Sequence, residues 1–292
     1  MAFTTKITYL ILCHINPNQV AFLINHLGRS SANSFVVHID KASNPRNFEA
    51  AVINELMDPS RVYFTKSNIN VKWGGVSFLY AIKELIHTAF DKALCFDYLS
   101  LISVQCFPVK TNHEISDALK ANWGYSFVEM NPYTEIGNKY NRLNRYYFYD
   151  YYAKDYNKSQ LLNLPGRIVT KIAPKRNVPF TPYWGRVWWF LWKEHALEIL
   201  QSMTDNNEIY RFLKYSLLPE EIFFASLIKN SSFESKVISK RTTFADYSHP
   251  HPQEISPETA YTLRRSEYFF GRKFYWGSKG LEEILKLLED KE

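Results

Sequence analysis

The first 121 residues alternate between apolar runs and amphipathic segments, and this alternation constrains the fold more than any other feature of the chain. Near-continuous apolar runs predict buried strands, whereas segments with helical periodicity and start signals predict helices. The predicted strands are 7–14, 34–40, 61–65 and 98–103, and the predicted helices are 16–27, 48–57, 76–90 and 114–121. Strands that alternate with helices form mostly parallel sheets covered by helices on both faces, so the sequence predicts an α/β fold.

The pattern breaks between residues 131 and 182, where aromatic, basic and Pro-containing segments follow one another. We interpret this stretch as an aromatic-rich insertion over the sheet that recognises an acceptor. A strand at 187–192, a helix at 194–202 and a helix beginning near Glu220 then resume the regular pattern. The sequence has no internal repeat and no linker, which predicts a single domain over residues 1–292.

Charge and aromatic content limit the kinds of partner. The net charge of +6 and the pI of about 9.0 favour an anionic partner. Residues 138–152 interleave basic and aromatic side chains, which suits nucleic-acid bases, sugar rings or a membrane surface, and also a purely structural, aromatic-rich subdomain. The chain has no apolar run of about 20 residues and no signal-peptide pattern, and its three cysteines lack metal-ligand spacing. We therefore expect a cytoplasmic protein with reduced thiols.

Ligands of parallel sheets bind beyond the carboxyl ends of the strands, which here are His14, 38–41, 68–75 and 103–108. These segments carry neither a Rossmann glycine fingerprint nor a Walker A sequence. The strand end at 103–106 also lacks the Asp-x-Asp that would hold Mn²⁺ or Mg²⁺, so cationic side chains must neutralise any bound diphosphate. His249 and His251, which lie between prolines, are interpreted as a loop without a metal.

Several residues at or near this edge are candidates for binding and chemistry. The glycines after Trp73 would let the backbone approach a ligand, although a tight turn explains them as well. His38 and Asp40 face the same way on a strand end, where they contact a ribose or base or form a simple polar pair. Glu220 and Glu221 follow Pro219 at a helix start, where one acid could face a cleft or both could be solvated first-turn acids.

Taken in order, these motifs resemble those of glycosyltransferase family 14, the family of core 2 and I-branching β-1,6-N-acetylglucosaminyltransferases and peptide O-xylosyltransferases. The matching segments run from one end of the chain to the other: 10–17, 37–41, 71–75, 98–112, 188–189, 219–221 and 270–274. The resemblance is weakest over 131–182. Because the ordered set is far more specific than any single motif, it adds a family to the fold prediction.

The resemblance implies a GT-A-like fold and an inverting, metal-independent transfer from a nucleotide-sugar, which we expect to be UDP-linked. It implies Glu221 as catalytic base, with Lys273 and Arg241 holding the donor diphosphate. The remaining donor residues predicted from these motifs are His38, Asp40, Trp73, Gly74 and Tyr98. The expected acceptor is a hydroxyl of a carbohydrate or of a lipid-linked oligosaccharide.

Two departures from the family pattern shape the rest of the prediction. Cys106 stands where members commonly carry Asp, which favours, as an alternative, a non-catalytic carbohydrate-binding descendant. The chain begins at the first strand, without the Golgi anchor of animal members, so it resembles bacterial members and a role in surface polysaccharide synthesis, in the cytoplasm or at the inner face of the membrane. A nucleic-acid binder remains a third interpretation, but we predict no nucleic-acid partner.

Overall fold

The computed structural model describes residues 4–136, 141–152, 164–248 and 251–289. The strands are β1 (Ile7–Cys13), β2 (Ser34–Ile39), β3 (Val62–Phe64), β4 (Tyr98–Ser103), β5 (Cys106–Pro108), β6 (Ser126–Phe127), β7 (Asn131–Pro132), β8 (Tyr183–Trp184), β9 (Phe190–Trp192), β10 (Val237–Ile238), β11 (Thr243–Ala245) and β12 (Phe270–Arg272). The helices are α1 (Pro17–Leu27), α2 (Pro45–Asn54), α3 (Ser77–Asp91), α4 (Asn112–Ala121), α5 (Tyr149–Tyr152), α6 (Leu164–Ile172), α7 (Lys193–Ser202), α8 (Glu208–Leu213), α9 (Glu220–Lys229), α10 (Pro257–Arg264) and α11 (Lys279–Glu289).

The described strands build a main sheet of seven in the order β10-β6-β9-β4-β1-β2-β3. β1 pairs in parallel with β2 and β4, and β2 pairs in parallel with β3, whereas β9 runs antiparallel to β4 and β6. The chain moves outward from β1 to β3 and then returns to β4. By the right-handed crossover rule, α1 and α2 belong on one face and α3 on the other. The predicted α/β class, with a mostly parallel sheet, is confirmed.

The two central strands explain the near-continuous apolar runs of the sequence. Every residue of β1 and β4 is buried, as expected for strands covered by helices on both faces. The turns after these strands therefore carry the first polar groups that reach the sheet edge. Those turns, together with the ends of β2 and β12, form the edge at which the candidate site lies.

The structure differs from the predicted pattern in where some elements begin and in several short strands that were not predicted. α2 begins at Pro45 rather than at residue 48, and β9 begins at Phe190 rather than at residue 187. A small sheet of order β11-β12-β5 brings the segment 270–273 against the turn after β4. In the insertion, β7 pairs with β8, and α5 and α6 follow each other in chain order. The single-domain organisation stays a prediction.

Candidate active site

Glu221 lies in the first turn of α9, where two arginines hold its carboxylate. Arg142 Nη1 lies 2.6 Å from Glu221 Oε2, and Arg186 Nη1 lies 2.5 Å from Glu221 Oε1. Because the Glu221 side chain is only 12% exposed, both ion pairs are shielded from solvent. Each carboxylate oxygen therefore has its own guanidinium partner. A hydroxyl that gives its proton to Glu221 must reach one of these two oxygens, either beside its guanidinium partner or in its place.

Glu220, the neighbouring acid, points into the protein interior instead of toward the arginines. Its side chain is buried, and its Oε2 has no hydrogen-bond partner among the residues that the structure describes. Burial raises the pKa of Glu220 to about 8, and the negative charge of Glu221 adds to this shift. Glu220 is therefore mostly neutral at pH 7. The two adjacent acids have different surroundings, as their helical spacing predicts.

Glu129 connects the Glu221 cluster to Arg241. Its Oε2 accepts a 2.9 Å hydrogen bond from the backbone N–H of Arg186, and Arg241 donates to its two oxygens at 3.4 Å each. Burial acts to lower the pKa of Arg186, but the charge and hydrogen bond of Glu221, together with Tyr247 and Glu129, outweigh it, so that this pKa is raised. Arg241, predicted as a diphosphate ligand, thus belongs to the same ionic network as Glu221.

Gly185 allows three chain segments to meet at this network. Its N–H donates a 2.8 Å hydrogen bond to the backbone oxygen of Glu221. A Cβ atom at position 185 would lie 1.7 Å from the backbone oxygen of Glu129, which no side chain can tolerate. The close approach that places Arg186 beside Glu221 therefore requires glycine at this position.

His38 and Asp40 hold the loop that leads to Trp73. His38 Nε2 accepts the N–H of Ile69 at 2.9 Å, and Asp40 Oδ2 accepts the N–H of Val71 at 2.8 Å. His38 is buried, and this burial lowers its pKa to about 4, so its ring is neutral. Both side chains thus hold the backbone of the 69–75 loop by hydrogen bonds. A direct contact with a ligand stays a prediction for both.

The two glycines of this loop approach other parts of the chain. Gly74 has φ +76°, and its carbonyl accepts the N–H of Leu218, just before α9, at 3.0 Å. A Cβ at Gly75 would lie 2.5 Å from Asp150 Oδ2, and this carboxylate accepts the first N–H groups of the α3 region. The space that the glycines leave is therefore occupied by protein atoms. Trp73, which is half exposed, meets the ring of Tyr149 edge to face at 6.4 Å.

Arg272 and Lys273 lie at the end of β12, beside the end of β1. Burial lowers the pKa of His14, and the charges of Arg272 and Lys273 lower it further, so the two cations act on the end of β1. The guanidinium of Arg272 lies 4.6 Å from the ring centroid of Trp188. Among the described residues, no acidic side chain pairs with either cation. Two adjacent cations that pair with no described acid are suited to an anionic ligand, and the role of Lys273 in holding one stays a prediction.

The structure corrects the prediction that Tyr98 contacts a donor. Tyr98 begins β4 and therefore lies about 16 Å along the strand from the carboxyl end of β4. Its side chain is fully buried, and its hydroxyl donates to the backbone oxygen of Asn122 at 3.1 Å. Tyr98 thus packs the core at the opposite edge of the sheet.

Cys106 and the histidine pair bear on the question of a metal. The Cys106 thiol is buried against Ser103, with its Sγ 3.4 Å from the Ser103 hydroxyl. Within residues 4–136, 141–152, 164–248 and 251–289, no three His, Cys, Asp or Glu side chains are grouped to hold a metal ion. His249 lies outside the described residues. Metal independence stays a prediction.

Sequence reasoning missed four members of the site: Glu129, Arg142, Arg186 and Arg272. The Arg142–Glu221 and Arg186–Glu221 pairs join positions 79 and 35 residues apart, so no local spacing reveals them. The only sequence signals available were the basic residues of the 138–152 stretch and the Arg beside Lys273.

The site combines a shielded carboxylate at a helix start with a pair of cations at the carboxyl edge of a mostly parallel sheet. This arrangement defines an α/β protein whose cationic side chains at the sheet edge are suited to an anionic ligand. The Core-2/I-Branching enzyme family model matches residues 7–264, and the chain belongs to that family. This family is glycosyltransferase family 14, so the match confirms the resemblance found in the motifs.

Individual relatives are distant. The chain is 24% identical to rat xylosyltransferase 2 over 97% of its own length, and 23% identical to rat xylosyltransferase 1 over 74% of its length. It spans about a third of the length of the first and about a quarter of the second. A solved structure of mouse xyloside xylosyltransferase 1 aligns with 92% of this chain and with 95% of its own length. The sequence identity is 12% and the TM-score is 0.39.

Proposed function

We propose that this protein is an inverting, metal-independent glycosyltransferase that moves a sugar from a UDP-linked nucleotide-sugar to a hydroxyl of a carbohydrate acceptor. The observation that carries the proposal is the position of Glu221 in the first turn of α9, within a shielded ionic network. Family membership supports the transfer reaction itself. The acceptor is proposed to be a bacterial surface polysaccharide or its lipid-linked precursor.

The proposed reaction uses Glu221 as general base. The acceptor oxygen attacks the anomeric carbon of the donor while the bond from that carbon to the diphosphate breaks on the opposite side. The hydroxyl proton passes to Glu221 in the same step. Because the new bond forms opposite the leaving group, the anomeric configuration inverts. The acceptor hydroxyl would enter by replacing the bond from Arg142 or Arg186, and the displaced arginine remains available to hold the acceptor.

The leaving diphosphate gains negative charge as its bond to the sugar breaks. Lys273 and Arg272 lie together at the sheet edge without an acidic partner among the described residues, which supports their assignment as the diphosphate clamp. Their charges would be worth more in the transition state than in the bound donor, which is how such contacts accelerate transfer. Arg241 is a weaker candidate because Glu129 already pairs with it.

A non-catalytic carbohydrate-binding protein is the second candidate. The observation that favours it is the double pairing of Glu221, which leaves no oxygen of this carboxylate without a cation. Release of UDP from a panel of UDP-sugars, measured with and without oligosaccharide acceptors, separates the two. A transferase releases UDP and yields an extended acceptor, whereas a binding protein retains the donor or ignores it.

We also propose that the protein works in the cytoplasm. The thiols of Cys13, Cys95 and Cys106 are free, which is usual in a reducing compartment. No described helix combines the length and the apolar character that a bilayer crossing needs. Fractionation of the producing cells, followed by detection of the protein in the soluble and membrane fractions, tests this location.

A further inference from the structure

One face of α6, in the insertion, plays no part in the candidate site. Ile168 is 48% exposed and Ile172 is 76% exposed, and Lys171 between them is exposed as well. Val169 and Ala173 are half-buried. Since successive helical residues turn by about 100°, the two isoleucines and Lys171 share one stripe roughly 100° wide. Aliphatic and cationic side chains thus face the solvent together; we call this surface, with Lys175 just beyond the helix, the α6 stripe.

The sequence around the α6 stripe carries the charge excess of the whole chain. Residues 156–193 contain seven Lys or Arg and no Asp or Glu, compared with a net charge of +6 for all 292 residues. Arg186 shares the Glu221 carboxylate with Arg142. Lys171 and Lys175 are exposed and pair with no acidic side chain in the part of the chain that the structure describes. The α6 stripe therefore presents positive charge that no acid among the described residues cancels.

Arg176 fixes the end of this segment to the chain that leads into α9. Its Nη1 donates to the backbone oxygen of Tyr215 at 2.9 Å and to Ser216 Oγ at 3.1 Å. Its guanidinium also stacks on the ring of Phe212 at 3.7 Å, and its backbone N–H donates to Asn144. The α6 stripe is thus tied, within a few residues, to the segment that precedes Glu221.

We propose that the α6 stripe docks the protein on the surface of an anionic lipid bilayer. Ile168 and Ile172 would enter the headgroup region, while Lys171 and Lys175 contact lipid phosphates, as in amphipathic helices that lie in a membrane interface. The aliphatic side chains are the reason for choosing a bilayer over an acidic glycan, because sugar rings are held by aromatic faces and gain little from isoleucine. The inference holds whether or not the protein transfers a sugar. Together with the proposed function, it favours a lipid-linked acceptor.

Co-sedimentation of the full chain with vesicles tests the proposal. The vesicles contain phosphatidylglycerol and phosphatidylethanolamine in one series and phosphatidylcholine alone in the other. We expect binding to the anionic vesicles that is at least tenfold stronger and that weakens at high salt. The double variant Ile168→Ser/Ile172→Ser should bind about tenfold more weakly. Lys171→Ala/Lys175→Ala should lose about fivefold for each lysine.

Matched variants on other surfaces control for general effects. Ile53 and Leu197 are each 41% exposed on α2 and α7, and Lys92 and Lys286 are exposed elsewhere. Changing either control pair should leave vesicle binding as in the wild type. Equal binding to both kinds of vesicle would overturn the proposal, as would wild-type binding by both α6 double variants with unchanged thermal unfolding. Lysine-dependent but isoleucine-independent binding, displaced by an acidic polysaccharide, would also overturn it. UDP release from UDP-sugars, measured in solution, reports separately on the proposed function.

Discussion

The burial of Glu220 leads to a prediction about stability. A buried acid that stays neutral makes the free energy of unfolding depend on pH. The pKa of Glu220 is about 8 in the folded protein, raised by burial and by the charges of Glu221 and Asp150, although Arg142 acts in the opposite direction. The ordinary value is 4.5. Between these two values the folded protein binds a proton that the unfolded chain has released. The stability contribution is therefore fully present below pH 4.5 and is lost progressively as the pH rises to about 8.

The size of the effect follows from the two pKa values. Each pH unit in that window is worth about 1.4 kcal/mol for a single proton. Glu220→Gln keeps the size and the neutral state of the side chain but removes the titration. The free energy of unfolding of the variant, minus that of the wild type, should therefore rise by about 3 kcal/mol between pH 5 and pH 7.5. The difference between the two pH values cancels any fixed effect of the amide.

Urea unfolding of wild type and Glu220→Gln at several pH values measures this quantity. Glu258→Gln is the matched control, because Glu258 also lies in a first helical turn but is exposed. The control should show much less pH dependence, in the opposite direction, since the pKa of Glu258 is lowered by a hydrogen bond from Ser256. Parallel pH profiles for Glu220→Gln and the wild type would refute the view that Glu220 is buried and neutral.

Two further predictions concern the donor site. Lys273→Ala and Arg272→Ala should each weaken UDP binding by roughly tenfold but leave uridine binding unchanged, because a charge-assisted contact to the diphosphate is removed. Calorimetry measures the affinities for UDP and uridine, with Lys286→Ala as the control. Equal losses for UDP and uridine would contradict the assignment of these residues to the diphosphate. Transfer should persist in excess EDTA, because Lys273 and Arg272 are proposed to stabilise the leaving diphosphate in place of a metal ion. Loss of transfer in EDTA that Mn²⁺ or Mg²⁺ restores would show that the reaction needs a metal.

Local patterns were sufficient to predict the parallel half of the fold. β1, β2, β3 and β4 each form an apolar run whose residues are recognisable without their partners, and α1 and α3 carry clear periodicity. The antiparallel β9 and the short strands of the β11-β12-β5 sheet could not be predicted in the same way. Strands of two or three residues owe their existence to distant pairing partners, and the sequence does not show which segments meet.

The site divides along the same line. A Pro and two acids in succession predicted the helix start at Glu220, and the structure confirms it. The choice of Glu221 as catalytic base came from the family resemblance and stays a prediction. Arg142 and Arg186 escaped notice because they reach Glu221 only through the tertiary fold. The glycines beside Trp73 were assigned to a ligand because a sequence shows that space is needed but not what fills it. In the structure Leu217 and Asp150 fill it.

Turnover of Glu221→Gln tests the central claim most directly. The transfer rates of Glu221→Gln, Glu220→Gln and the wild type are compared with the UDP-sugar that the UDP-release panel identifies as donor. UDP binding is measured on the same preparations to show that the donor site is intact. If Glu221 is the general base, transfer by Glu221→Gln falls by about 10² to 10⁴ with UDP affinity nearly unchanged, while Glu220→Gln is much milder. A wild-type rate in Glu221→Gln, or equal losses in both variants, would contradict the assignment.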